Sequence, residues 1–330
     1  MKKIVSMGLI SLDDSVYGEL RQKGFELVFP LGMGIRPRGE GDQKKIFAAL
    51  ADAEGFISGG VTVDDTLLDH APRLKAVIFC GVGYASFIDA AACKRRNVAL
   101  GICPGANATA VAESASAMLT AAIKDLFRFN GAVKDGIWKS HDTPDIFDKT
   151  LGFVGFGNVG LKLARIMHHG YGCPVLYYAH SAKPEAEREL GAGRRGLDSL
   201  LAESDVTVVS ITWTEETERL INRERIERMK DGAILLNLAR AEIVDRDAVL
   251  SALESGKLSK YLTDVFHSDA AAGEQAPLWK GKYPDDGKCI VTPHTFWSSP
   301  HTTKRIGEIA IETVQKLILG ESASNRVEIK

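Results

Sequence analysis

Leu151-Gly152-Phe153-Val154-Gly155-Phe156-Gly157-Asn158-Val159-Gly160 reads as a short apolar strand, a glycine turn and the start of a helix that runs through Met167. The glycines follow the G-x-G-x-x-G spacing. Gly155 suits a tight turn, Gly157 lets backbone approach a pyrophosphate, and Gly160 allows a helix to pack closely on a strand. The helix N-terminus then offers free N–H groups to phosphate oxygens. Alone the string is common. Between a strand and a helix it predicts a dinucleotide site, with Asn158 and Val159 beside the phosphates.

The same alternation extends both ways from this turn. Upstream, residues 4–9, 55–58 and 75–80 read as strands and 43–51 and 66–74 as helices, a rhythm that continues to about Pro104. Residues 106–129 are alanine-rich with no internal Gly or Pro, which predicts one long helix. An irregular stretch, 130–148, follows. Strands are then expected at 150–154, 175–178, 206–211, 233–238, 261–265 and 289–292, and a last helix at 302–319. This order predicts two parallel α/β sheets that break near residues 104–106.

Composition agrees with two domains of roughly 150 residues each. The chain has 330 residues, 45% of them apolar and 25% charged, with a net charge of -2. That balance gives no bulk attraction to nucleic acid or an anionic membrane. Neither partner is expected, nor is a metal. The five cysteines, Cys80, Cys93, Cys103, Cys173 and Cys289, include no C-x-x-C pair and read as buried, reduced thiols of a cytoplasmic protein. The apolar stretch after Lys2 and Lys3 is broken by Ser11, Asp13 and Asp14, too soon for a signal peptide. No run of about 18 apolar residues occurs to span a membrane.

The strand after the glycine turn should end in an acid that binds the adenosine ribose. Here Val175-Leu176-Tyr177-Tyr178-Ala179-His180-Ser181-Ala182-Lys183 contains none. A carboxylate would repel a 2′-phosphate, whereas His180, Ser181 and Lys183 would suit one. NADP(H) is therefore the expected cofactor, with NAD(H) as the alternative.

Three further segments lie where strands should end at one sheet edge: Asn237-Leu238-Ala239-Arg240, Asp264-Val265-Phe266-His267-Ser268-Asp269 and Thr292-Pro293-His294. Taken with the glycine turn, their order resembles the D-isomer-specific 2-hydroxyacid dehydrogenase family. Gly81-Val82-Gly83-Tyr84 with Ile88-Asp89, Val111-Ala112-Glu113 and Trp138 add to the resemblance, which covers nearly the whole chain. It implies two Rossmann-like or flavodoxin-like domains. The cofactor domain (105–296) would be inserted into a discontinuous substrate domain (1–104 and 297–330), with substrate and nicotinamide in the cleft between them.

The chemistry implied is hydride transfer between NAD(P)H and a small 2-keto acid. Arg240 would bind the substrate carboxylate and polarise its carbonyl. His294 would serve as acid in reduction and base in oxidation. Asp269 would steady the imidazolium, although this position usually carries Glu. The resemblance gives Asp264 to the nicotinamide amide and sets Thr212 and Ala239 beside the cofactor. It also gives the loop at Ser58, Gly59 and Gly60, with Gly83, to the substrate carboxylate. No Arg or Lys stands in residues 58–62 to bind a phosphorylated acid, so glyoxylate, hydroxypyruvate or a similar short acid is expected. Trp297 would cap the pocket.

The segment Ser210–Thr217 departs from the family in lacking proline and carrying Trp213, and Ala241 stands where glycine is usual. Two rivals share the fold: a nicotinamide-sensing, corepressor-like scaffold without turnover, and a hydrolase that uses bound NAD. The presence of both Arg240 and His294 favours turnover. The alanine-rich helix and the resemblance together imply a homodimer joined through cofactor domains.

Overall fold

The computed structural model describes residues 1–8, 10–33, 35, 37–147, 149–265 and 287–329. The chain divides into two compact units, Met1–Asn107 with Ser298–Lys330, and Ala108–Trp297.

The first unit holds a five-stranded sheet in the order β2-β1-β3-β4-β5. Its strands are β1 (Lys2–Ser6), β2 (Phe25–Val28), β3 (Gly55–Ser58), β4 (Ala76–Phe79) and β5 (Ala99–Ile102). All pairings are parallel. Helices on both faces bury such a sheet, so its strands read as continuous apolar runs such as Ala76-Val77-Ile78-Phe79. One face is covered from far along the sequence. The helix Pro300–Leu319 lays Ile306, Ala310, Ile311, Val314 and Leu317 into the cluster that holds Ile4, Ile57, Ala76 and Ile78. Its start is sharp because Pro300 fixes the first turn and the Ser299 side chain accepts the Thr302 N–H. Gly320, at φ +76°, ends it.

The second unit holds a seven-stranded sheet in the order β12-β11-β10-β9-β6-β7-β8. These strands are β6 (Leu151–Val154), β7 (Val175–Tyr178), β8 (Gly193–Arg194), β9 (Val206–Val209), β10 (Ala233–Asn237), β11 (Leu258–Thr263) and β12 (Cys289–Val291). Again every pairing is parallel. The winding reverses between β6 and β9, the place where open α/β sheets bind ligands beyond their strand ends. The glycine turn stands at the end of β6.

The long helix expected at 106–129 is two helices, Ala108–Ile123 and Leu126–Lys134. Helix propensity is overridden at Asp125, which takes the left-handed conformation at φ +51°. Its carboxylate accepts from Lys260 Nζ at 2.5 Å and from His141 Nε2 at 2.8 Å. Lys260 stands on β11, so a contact distant in sequence breaks the helix. Several bounds also differ: the first strand is Lys2–Ser6 and the third helix is only Asp65–Asp69.

No helix among the described residues is long and apolar enough to cross a membrane. Among them, too, no group of three His, Cys, Asp or Glu could hold a metal ion. All five cysteines are free thiols. Burial pushes Cys93 up to about 11 and Cys103 up to about 12, which leaves them protonated at neutral pH.

Candidate active site

The glycine turn is shaped by what lies beside it. Gly155 has φ +90°, and a Cβ there would stand 2.5 Å from the backbone nitrogen of Ile211. Ser210 closes the contact, its Oγ donating to Gly155 O at 2.7 Å. That hydroxyl oxygen lies 2.8 Å from where a Cβ on Gly160 would be. At Gly157, by contrast, an added Cβ would meet nothing within 4 Å. The turn is tight against β9 on one side and open at Gly157, directly before the 14-residue helix Asn158–Tyr171. Open backbone at the head of a helix fits a dinucleotide pyrophosphate. Asn158 and Val159 begin that helix.

His180 and Ser181 are exposed in the loop after β7, and Lys183 is half-buried. The Lys183 N–H donates to the Tyr177 hydroxyl at 2.9 Å, and that hydroxyl donates to Glu187. Arg194 of β8 reaches the same loop, donating to Ala179 O at 3.2 Å and His180 O at 3.0 Å. Sequence reasoning missed both: Tyr177 reads as a core aromatic, and the contacts of Arg194 reach across from another strand. Thr212 is exposed beyond β9, its carbonyl accepting the Thr217 hydroxyl at 2.9 Å.

Three adjacent strands carry the remaining candidates. At the end of β10, buried Asn237 holds the turn that presents Arg240. Its side-chain nitrogen donates to Arg240 O at 2.9 Å, and its oxygen accepts the Ala239 N–H at 3.0 Å. Arg240 Nη1 in turn donates to Ala239 O at 2.8 Å. The signal for Asn237 was present in the N-x-A-R string, but sequence alone assigned it no task. Ala241 does not need glycine's freedom, since its φ is not positive.

Asp264 follows β11 and is 4% exposed. Its Oδ1 accepts the Thr292 hydroxyl at 2.6 Å and the Thr295 N–H at 2.9 Å, and its Oδ2 accepts the Phe296 N–H at 2.9 Å. A buried carboxylate left unpaired would be strongly destabilising. Here it closes the turn that follows β12. Thr263 joins the two staples, its hydroxyl donating to Asn237 O at 3.1 Å.

His294 lies within the closed turn at φ +51°, a left-handed conformation that is uncommon for a residue with a side chain. Its N–H donates to Thr292 O at 3.0 Å, and its carbonyl accepts Trp297 Nε1 at 3.0 Å. Both backbone groups of His294 are thus fixed, and Trp297 braces it from behind. Such strain, of about 1–2 kcal/mol, persists where the surroundings over-determine it. Asp269 and His267 lie outside the described residues.

In the first unit, Ser58 ends β3, and its hydroxyl donates to Val61 O at 2.8 Å. Gly59 follows, then exposed Gly60 at φ +104°. Gly83 follows β4 and precedes a 3-10 turn, Tyr84–Ser86.

A parallel sheet with a glycine turn at its switch point, and an arginine and a histidine held beyond strands on either side of β11, has the form of a nucleotide-binding α/β fold. The family model for the D-isomer specific 2-hydroxyacid dehydrogenase NAD binding domain matches residues 116–295. Glyoxylate/hydroxypyruvate reductase B of Pectobacterium carotovorum is 34% identical over 284 residues, which cover 84% of this chain and 87% of that protein. Among solved structures, D-lactate dehydrogenase of Aquifex aeolicus, complexed with NAD and lactic acid, matches with TM-score 0.77 at 26% identity. That match covers 97% of this chain and 96% of the other. D-mandelate dehydrogenase of Rhodotorula graminis shares the fold, with TM-score 0.83 at 21% identity, covering 99% and 98% of the two chains. The chain belongs to the D-isomer specific 2-hydroxyacid dehydrogenase family. It is an NAD(P)-dependent oxidoreductase of 2-hydroxy and 2-keto acids.

Proposed function

We propose that the chain reduces a short, unphosphorylated 2-keto acid of the glyoxylate or hydroxypyruvate kind, with NADPH as its preferred donor. One observation carries this reading: β10 and β12, on either side of β11, are followed three residues on by Arg240 and His294, in the sheet that holds the glycine turn. The nicotinamide, when bound, supplies the hydride. Arg240 takes the substrate carboxylate and polarises the keto oxygen. His294 hands a proton to that oxygen as it becomes a hydroxyl. Asp269 steadies the charged imidazole. Ser58, Gly59, Gly60 and Gly83 serve the substrate carboxylate. Gly155, Gly157, Asn158, Val159, Thr212, Ala239 and Asp264 serve the cofactor.

The acid-free loop at 179–183 supports NADPH, and the absence of Arg and Lys from residues 58–62 supports an unphosphorylated acid. The name of the Pectobacterium relative supports glyoxylate and hydroxypyruvate. In this reading residues 1–104 and 297–330 form the substrate domain, residues 105–296 form the cofactor domain, and the enzyme works in the cytoplasm. A homodimer through the cofactor domain is supported by exposed Leu126, Phe127, Val133, Ile137 and Trp138.

The test is optical: oxidation of NADPH and NADH against glyoxylate, hydroxypyruvate and pyruvate, by the wild type and His294→Ala. Turnover should be faster with NADPH and fall about 10²- to 10⁴-fold in the variant. Undiminished turnover in the variant would remove His294 from the chemistry. A clear NADH preference would remove the cofactor assignment.

A further inference from the structure

We propose that Arg194 is a specificity-determining residue that binds the 2′-phosphate of the cofactor's adenosine, together with Ser181 and Lys183. This rests on the reading that the cofactor is phosphorylated there.

Arg194 lies fourteen residues beyond His180, and nothing in the linear sequence joins them. The sheet does. Tyr177 of β7 pairs in register with Arg194 of β8, which sets the arginine beside the end of the strand whose following loop faces the ribose in this fold. One guanidinium nitrogen, Nη2, donates to both Ala179 O and His180 O. The guanidinium is thereby held at the loop before any ligand arrives, so little side-chain freedom is lost on binding.

Charge points the same way. Two arginines near this edge are neutralised: Arg195 pairs with Glu203 at 3.0 Å and Arg165 with Glu189 at 2.6 Å. Arg194 forms no ion pair among the described residues, and its Nη1 and Nε donors are not used by the two carbonyls. Lys183 forms no ion pair there either. The loop between them, Ala179-His180-Ser181-Ala182, contributes a hydroxyl and no carboxylate. Its far end is pinned by the Tyr177 hydroxyl, which accepts the Lys183 N–H. Two cations without an ion pair among the described residues thus flank a braced loop that itself carries no acid, the Glu187 carboxylate being engaged by the Tyr177 hydroxyl. A phosphate dianion matches that arrangement: guanidinium and phosphate pair through parallel charge-assisted bonds. A plain ribose hydroxyl would use neither charge.

Calorimetry on the full chain with 2′,5′-ADP and 5′-ADP tests this without turnover, using wild type, Arg194→Gln and Arg194→Lys at low and moderate salt. The wild type should prefer 2′,5′-ADP. In Arg194→Gln that preference should shrink about tenfold to a hundredfold while 5′-ADP affinity holds within about twofold. Arg194→Lys should recover part of the preference, and added salt should erode it. If Arg194→Gln weakens both nucleotides equally, the arginine only braces the loop and the proposal fails. An unchanged preference in Arg194→Gln also overturns it, while leaving the NADPH reading intact. No preference in the wild type overturns the NADPH reading itself, and this proposal with it.

Discussion

The carboxylate of Asp264 accepts the backbone N–H of Thr295 at 2.9 Å, one residue beyond His294. With the bonds from Thr292 and Phe296, this makes a buried acid the anchor of the turn that presents the histidine. The imidazole is therefore positioned through its own backbone.

Asp264→Asn puts an NH2 group where one carboxylate oxygen accepts, so at least one of three donors loses its acceptor. We expect kcat to fall about tenfold or more, and Trp297 fluorescence to change as its bond to His294 O loosens. Steady-state kinetics and emission spectra check this. A rise in cofactor KM alone, with kcat and emission unchanged, would show that Asp264 serves the cofactor without positioning the histidine.

Asn237 does for Arg240 what Asp264 does for His294. Asn237→Asp keeps the acceptor for Ala239 N–H but sets two oxygens facing each other at Arg240 O, while Asn237→Ala removes both bonds. Both variants should raise the KM for the keto acid and lower kcat/KM by about tenfold to a hundredfold. NADPH binding, measured by fluorescence, should hold better in Asn237→Asp, which keeps the bond to Ala239, than in Asn237→Ala.

Gly155→Ala forces a Cβ against the backbone of Ile211 at a positive φ. Neither the clash nor the conformation can be relieved by a side-chain shift, so the destabilisation should exceed about 2 kcal/mol. Nucleotide binding should be lost with it. Gly157→Ala, facing open space, should instead leave Tm nearly unchanged and weaken nucleotide binding selectively. Thermal melts with and without NADPH separate the two.

Acid stability should depend on Asp125. Burial pushes its carboxyl up, but the bonds from Lys260 and His141 outweigh that and hold its pKa below the ordinary 3.8. A group depressed in the folded state adds stability that is present above its unfolded pKa. That stability is lost as pH falls through the lower folded value. Asp125→Asn tolerates the left-handed backbone, removes the charge and replaces one of the two acceptor oxygens with an NH2 group. It should lower Tm by a few degrees at neutral pH and flatten the Tm loss below about pH 4. Melts across pH 3 to 8 check the slope.

Much of this was legible in the sequence because it is local. A strand-turn-helix with glycines at fixed offsets, and strands that read as apolar runs, need only neighbouring residues to be recognised. Arg240 and His294 stood out for the same reason, each within a short motif. The supports did not. The bond from Asp264 to Thr295, the reach of Arg194 to His180 and the break at Asp125 all join residues remote in sequence, and the sheet register alone brings them together. Tyr177 looks like an ordinary core aromatic until its hydroxyl is seen to hold Lys183.

The helix Pro300–Leu319 covers one face of the first sheet, although that sheet is complete in sequence by Ile102. Synthesis is vectorial. The nascent first unit must therefore emerge with Ile4, Ile57 and Ile78 lacking their cover while the whole second unit is translated, a delay on the order of ten seconds. The second unit is continuous and can fold during that time. A trigger-type chaperone, or a pause in translation after residue 107, would act on the uncovered face. Moving the codons for the last helix to the front of the gene by circular permutation would shorten its exposure.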